Sequence, residues 1–334
     1  MAWTTDIATA EARGAIKRDV DFLIVGTPRS GTTLVQRLAC ELPGIGMPRE
    51  TEFWLKYRSS PLRSVSFPLE GDDLRWHLAR LVTVRPLDRQ EIDLDALIDA
   101  MGGRCSSPVE MFAGLVRFLA GTPQLAGEKT PSHLWWWPPL TVAMPALKII
   151  GVVRDPRAVA ASMRTLPWGP HRAALVSEWW AADQRCLARA CVSLPDRVLV
   201  LRYEDVVTDP RFAQERIARF LGVELHPTGE GQRVAPLFDD GQWWMRRAFQ
   251  TVSRDRVDAW RRDLDRRKIR QIESISWREM RSFGYDLDNP SVAMGLSQGW
   301  IPPTDQYRRM KFRKQREGRL RLISEIEIPT ARLG

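Results

Sequence analysis

The chain is poor in the residues that build metal sites and disulfide frameworks, with four cysteines and four histidines among 334 residues. Cys40, Cys105, Cys186 and Cys191 form no CxxC pair and show no Cys/His ligand spacing, so neither a zinc site nor a disulfide framework is expected. Long apolar runs are missing too. No stretch approaches the roughly 20 residues that span a bilayer, and Met1 to Asp19 lacks the apolar core of a signal peptide. The expectation is a soluble, cytoplasmic protein without a transmembrane segment. Acidic residues are the minority charge, 41 against 50 Lys and Arg, giving a net charge of +9 and a pI near 9.8. That balance points to anionic partners without choosing among nucleotide, sulfated glycan, nucleic acid and membrane surface. With 44% hydrophobic residues the chain has material for a core, and its length suits one large α/β domain or two small ones.

One further absence is the most informative. In Asp21 to Val35, DFLIVGTPRSGTTLV, the apolar run Phe22 to Val25 has strand length, Gly26-Thr27-Pro28-Arg29-Ser30-Gly31 is a turn cluster, and Thr32 onward reads as a helix. Strand, glycine loop and helix in that order make a phosphate cradle, because small residues let backbone N–H groups converge on an anion at a helix N-terminus. Gly26-x4-Gly31 followed by Thr32 and Thr33 has P-loop spacing, but Thr32 stands where nucleotide-hydrolysing loops need lysine. The cation lies inside the loop instead, as Arg29. A transferable phosphoryl group calls for that lysine and for magnesium. A sulfuryl group carries about one fewer charge, so fewer cations are needed to stabilise its transfer.

Further on, residues 60–120 carry apolar residues at helical spacing: Leu74, Leu78 and Leu81; Leu94, Leu97, Ile98 and Met101; Met111, Leu115, Phe118 and Leu119. This block reads as a helical insertion that could wall an acceptor cleft or serve as scaffold. Thr130 is placed as an N-cap with Pro131 at the first helical position, in a helix that Pro138 and Pro139 stop. Strands are expected over Leu147 to Val153 and Arg197 to Leu201, and helices over His171 to Cys191, Phe212 to Leu221, Trp243 to Phe249 and, with breaks, Val257 to Phe283. Strands alternating with helices predict an α/β fold: a P-loop-like parallel sheet covered by helices on both faces. Ligands collect at the carboxyl ends of such strands, and Arg29, Arg154 and Tyr203 each sit just past one.

These segments resemble the sulfotransferases that use 3′-phosphoadenosine 5′-phosphosulfate, in the group that includes tyrosylprotein and glycan sulfotransferases. Pro28-Arg29-Ser30-Gly31-Thr32-Thr33-Leu34 resembles that family's 5′-phosphosulfate loop. Val152-Val153-Arg154-Asp155-Pro156-Arg157, with Ser162 eight residues after Arg154, resembles its 3′-phosphate motif. Arg202-Tyr203-Glu204-Asp205 is similar to a segment whose tyrosine lies near adenine in some members. Glu128-Lys129-Thr130-Pro131 resembles one that brings a lysine to the reaction centre in glycan-type members. The resemblance spans residues 22 to about 210. It implies the phosphosulfate as co-substrate, no metal, and Pro28, Arg29, Ser30, Gly31, Thr32, Thr33, Arg154, Ser162 and Tyr203 as its binding residues. Thr251-Val252-Ser253-Arg254 loosely resembles a late segment closing over the 3′-phosphate, which adds Arg254. An arginine at a strand end forks onto phosphate oxygens, and a serine two turns along the next helix adds a hydroxyl.

Transfer to an alcohol needs a base for the hydroxyl proton and cations for the developing charge. Glu50-Thr51-Glu52-Phe53-Trp54 resembles segments that supply a catalytic glutamate, so Glu50 is the expected base, with Glu52 in reserve and Arg29 and Lys129 as electrostatic partners. The implied domain layout is an N-terminal extension (1–19), a sulfotransferase domain (20–290, with 60–120 inserted) and a basic C-terminal tail (291–334). The expected acceptor is a carbohydrate or glycolipid hydroxyl; a peptide tyrosine and a small lipid or polyketide alcohol stay open. One of Trp135 to Trp137 could line its site, although core packing is the default for tryptophan. The tail, with eight Arg and Lys between Tyr307 and Arg321, reads as a solvated face more than as a specific nucleic-acid site. The alternatives to a sulfotransferase are a P-loop kinase with Leu147 to Asp155 as its acidic strand, and a non-enzymatic polyanion-binding module.

Overall fold

A computed structural model describes residues 19–59, 66–83, 86–166, 169–225, 246 and 248–291. The N-terminal extension before Asp19, His226, Trp243 and Trp244, and the basic tail lie outside the described residues. In chain order the elements are β1 (Phe22–Gly26), α1 (Thr32–Cys40), β2 (Ile45–Gly46), α2 (Phe53–Ser59), β3 (Leu69–Glu70), α3 (Gly71–Val82), α4 (Leu94–Ala100), β4 (Arg104–Cys105), α5 (Pro108–Leu119) and β5 (Leu125–Lys129). Then come α6 (Trp137–Ala143), β6 (Lys148–Val153), α7 (Pro156–Met163), α8 (Ala173–Ser193), β7 (Val198–Arg202), α9 (Tyr203–Thr208), α10 (Pro210–Leu221), α11 (Trp260–Asp263) and α12 (Arg266–Ser282). The parallel sheet is five-stranded, in the order β2-β5-β1-β6-β7.

The period-two alternation of β1 divides the core. Leu23 and Val25 face α5, α7, α8 and α12, in a cluster that also takes in Phe53, Trp54, Leu134 and Trp136. Phe22 and Ile24 face α1, α9 and α10, with Ile150 and Val152 from β6. Both faces are covered, as a parallel sheet requires. The residue pairs set by register share a face: Leu23 lies opposite Glu128, and Ile24 opposite Lys129.

The inserted block forms α3, α4 and α5, with β3 and β4 joined as a short antiparallel pair that the sequence does not suggest. Leu74, Leu78, Leu81, Leu97, Met111 and Leu115 are all buried in the same cluster as Leu23, so the block shares a core with the sheet. Around the prolines the expected helix is different. Pro131–Trp136 is a 3-10 segment, and Pro138 and Pro139 open α6 where they were expected to end a helix. The first turn of a helix has no use for the N–H groups that proline lacks. Three expected strands become five. Leu125–Lys129 escapes detection because its sequence, LAGEK, carries a glycine and two charges, although it lies between β2 and β1.

Candidate active site

The loop after β1 is shaped by its backbone. Gly31, at φ +95°, begins α1 in a left-handed conformation, and a Cβ built there would lie 2.4 Å from Cδ2 of Tyr203. Only a residue without a side chain lets the Tyr203 ring pack this closely. Arg29 is also left-handed, at φ +75°. Beneath the loop, Thr27 Oγ1 donates to Asp183 Oδ2 (2.9 Å) and accepts from Gln184 Nε2 (3.1 Å), which anchors the loop to α8. Trp135 Nε1 donates to the other Asp183 oxygen (2.8 Å). No side chain caps α1, which leaves its first-turn N–H groups and its positive end open to an anion.

Two strand ends supply the cations. Arg29 Nε donates to Ser162 Oγ on α7 (3.1 Å), while Arg154 Nη1 donates to the Arg29 carbonyl (3.1 Å) and Nη2 to the Arg256 carbonyl (2.9 Å). The Arg154 guanidinium stacks 4.1 Å from the centroid of Tyr203, and Trp180 Nε1 fixes its carbonyl (2.8 Å). Burial pushes the Arg29 guanidinium down to about 10, with the Arg154 charge acting the same way and Glu50 opposing both. Burial also lowers Arg154, against the pull of Tyr203 and Glu204. Two neighbouring cations that each resist being charged form a site that an anion stabilises. Arg154, which lines the cavity, keeps Nε buried without a hydrogen-bond partner, which fits a donor awaiting a ligand's oxygen. Asp155 does not pair with Arg154; both its oxygens hold Arg157, which reaches on to Glu273. Glu204 accepts from Asp155 N (3.0 Å) and Tyr285 Oη (2.8 Å), tying the ends of β6 and β7 together.

Above these groups lies a cavity of about 560 Å³, a volume suited to a nucleotide. Arg29, Gly31, Thr32, Thr33, Arg154, Ser162 and Tyr203 line it, and the late segment closes it from Ala248 to Arg256. Arg37 Nη1 holds that segment at the Gln250 carbonyl (2.8 Å). Pro28, half-buried, and Ser30, fully buried, shape the loop without lining the cavity. Arg254 is exposed and is not part of the lining; Arg256, which sequence reasoning passed over, is.

At the edge of the cavity, β5 brings up Lys129, 1% exposed. Its ammonium pairs with the Glu50 carboxylate and donates to Thr33 Oγ1 (3.2 Å), a residue of the cavity wall. Glu50 and Lys129, 79 residues apart in sequence, thus meet. Glu52 turns elsewhere, toward Lys56 at 3.4 Å, and burial, then the neighbouring Glu50 charge, raises its carboxyl above the usual range. On the opposite face of β5, Glu128 and His133 form a buried cluster with Thr51 and Thr130. Trp136 is committed to the core, stacked on Trp54 at 4.8 Å, and Trp135 to Asp183.

A phosphate loop of this form at the carboxyl edge of a parallel sheet defines a P-loop-like α/β protein. The sulfotransferase family model matches residues 21–227, most of the chain, and the protein belongs to that family. Carbohydrate sulfotransferase 5 of Mus musculus is 29% identical over 164 residues, covering 42% of this chain and 42% of that protein. Carbohydrate sulfotransferase 2 of Homo sapiens is 29% identical over 109 residues, 31% of this chain and 20% of that protein. The chain thus spans less than half the length of these curated relatives. Among solved structures, the sulfotransferase domain of the Synechococcus PCC 7002 olefin synthase superposes with a TM-score of 0.55 at 23% identity, covering 80% of this chain and 95% of that one. The sulfotransferase domain from the curacin biosynthetic pathway gives 0.54 at 19%, with coverage of 80% and 99%. These likenesses extend the shared fold over most of the chain.

Proposed function

We propose that the protein transfers a sulfuryl group from 3′-phosphoadenosine 5′-phosphosulfate to an acceptor hydroxyl. The observation that carries this reading is the pairing of Glu50 with Lys129 against Thr33, at the edge of a cavity lined by Arg29 and Arg154. The co-substrate would supply an activated sulfate ester, and the residues of the chain have separate tasks toward it. The loop N–H groups, Arg29, Thr32 and Thr33 hold the 5′-phosphosulfate, with Ser30 shaping the loop beneath them, and Arg154 with Ser162 holds the 3′-phosphate. The Tyr203 ring flanks the base, and Arg256 is the late-segment cation in place of Arg254. Glu50 accepts the proton of the acceptor hydroxyl, and Lys129 and Arg29 stabilise charge as the bridge oxygen departs. Direct in-line transfer needs no covalent enzyme intermediate.

A carbohydrate or glycolipid hydroxyl is the acceptor this reading favours, supported by the Glu128-Lys129-Thr130-Pro131 segment and by the carbohydrate sulfotransferases among the relatives. A reducing, cytoplasmic setting fits four free thiols, three of them buried. Among the described residues no helix is long and apolar enough to cross a membrane. The test is incubation of the purified protein with sulfur-labelled donor and pooled glycans and glycolipids, read by mass spectrometry as the gain of about one sulfate. Failure to bind adenosine 3′,5′-bisphosphate at all would sink the proposal.

A further inference from the structure

The chain buries a carboxylate that the proposed chemistry does not use. Glu128 is 0% exposed on β5, one residue from Lys129, and its side chain emerges on the opposite face of the sheet. Burying a carboxylate costs several kcal/mol unless its lone pairs are satisfied, and an apolar residue could fill the site at no such cost. Here the lone pairs are fully employed. Glu128 Oε1 accepts from Thr51 Oγ1 (2.9 Å), Thr51 N (3.3 Å) and Thr130 Oγ1 (2.6 Å), and Oε2 accepts from His133 Nδ1 (2.8 Å). Burial alone would raise this carboxyl, but His133 and the hydroxyl donors hold it below the ordinary value, so it stays ionised at neutral pH.

The partners show what the arrangement holds. His133 Nε2 accepts from Trp54 N (3.3 Å), so Nδ1 carries the proton given to Glu128. Thr51 Oγ1 also accepts from Phe53 N (3.3 Å), and Thr130 Oγ1 from Glu52 N (3.1 Å). Every backbone N–H from Thr51 to Trp54 is therefore held by β5 and its continuation, directly or through Thr51. Glu52 sits at φ +47°, a left-handed conformation that a glutamate adopts under constraint. Glu50 immediately precedes this clamped run and meets Lys129 on the other side of the strand. The segment straddles the end of β5, with Thr51 fastened to Glu128 on one face and Glu50 presented to Lys129 on the other.

We propose that Glu128, acting through Thr51 and His133, is a positioning residue that sets Glu50 against Lys129 and the cavity. This rests on the reading of Glu50 as the base. Glu128→Gln keeps the shape but sets an amide NH2 against a fixed donor in either orientation, His133 Nδ1–H or the Thr51 backbone N–H, so one of the bonds that hold the segment is lost. Thr51→Val removes the hydroxyl, and Thr51→Ser keeps it.

Three readouts test the assignment. Hydrogen exchange of the backbone from Thr51 to Trp54 should quicken at least tenfold in Glu128→Gln and Thr51→Val, while Gly26 to Thr33 keeps its protection. In transfer assays both variants should lose 10- to 100-fold in kcat, with the donor KM and the dissociation constant of adenosine 3′,5′-bisphosphate within twofold of wild type. Thr51→Ser should restore most of the rate. Unchanged exchange, or a loss of kcat matched by an equal loss of nucleotide affinity, overturns the proposal, the latter marking a merely structural role. If Glu128→Gln does not fold, the Thr51 pair decides alone. Wild-type protein that transfers no sulfuryl group counts against the proposed function, whereas an active wild type beside fully active variants counts against Glu128 alone.

Discussion

Replacing Arg154 by alanine separates recognition of the two ends of the nucleotide. The wild-type side chain braces the carbonyls of Arg29 and Arg256 at 3.1 and 2.9 Å, stacks on Tyr203, and keeps Nε without a partner. Truncation removes the brace from any ligand, and removes the phosphate contact only from a ligand that carries a 3′-phosphate. A hydrogen bond to a charged group contributes roughly 1.5–3 kcal/mol. The affinity for adenosine 3′,5′-bisphosphate should therefore fall about 10- to 150-fold beyond whatever the brace contributes. Adenosine 5′-monophosphate reports the brace alone. Titration calorimetry of both nucleotides against both proteins closes the cycle, and the expected result is loss of discrimination between them in Arg154→Ala. An unchanged dissociation constant, or an equal loss for the two nucleotides, would refute the assignment of Arg154 to the 3′-phosphate.

Glu50→Gln should abolish turnover and leave nucleotide affinity within about twofold, whereas Glu52→Gln should keep most of the rate; the reverse pattern in steady-state assays exchanges their roles. Glu52→Gln also has a signed effect on stability. A carboxyl whose pKa is raised on folding contributes stability below its unfolded value, and that contribution is lost as pH rises through the folded value. The amide should therefore raise the thermal midpoint at pH 7, and the gain should vanish below pH 4.5, where the glutamate is itself protonated; a gain that persists there argues against this origin. Gly31→Ala meets the Tyr203 ring and a left-handed backbone, a conformational cost of about 1–2 kcal/mol before any clash. It should lower the unfolding midpoint and weaken nucleotide binding together, and wild-type values for both would mean that the loop relaxes freely.

The parts of the site that were legible in the sequence are contiguous. Strand, loop and first helix occupy residues 22–40 without interruption, so local propensity and glycine spacing report them directly. Arg154 and Tyr203 were accessible because parallel strands present their carboxyl ends on one edge, and both follow strongly apolar runs. β5 was not legible as a strand, because Glu128 and Lys129 look like surface residues until it is seen between two neighbours, and Lys129 was reached only through the family resemblance. A hydrophobic pattern cannot report a buried charge whose partners arrive from 79 residues away. The difference between Arg254 and Arg256 has a similar cause, since residues 250–257 belong to no described helix or strand and carry no periodicity to fix which side chain turns inward.

By itself the sequence determined the α/β class, the phosphate loop with its lysine missing, and the arginines at two strand ends. Each of these depends on residues within one or two turns of each other. The tertiary structure decided which glutamate meets Lys129. Glu50 and Glu52 have nearly the same local sequence, and hydrogen bonds across β5 turn one to Lys129 and the other to Lys56.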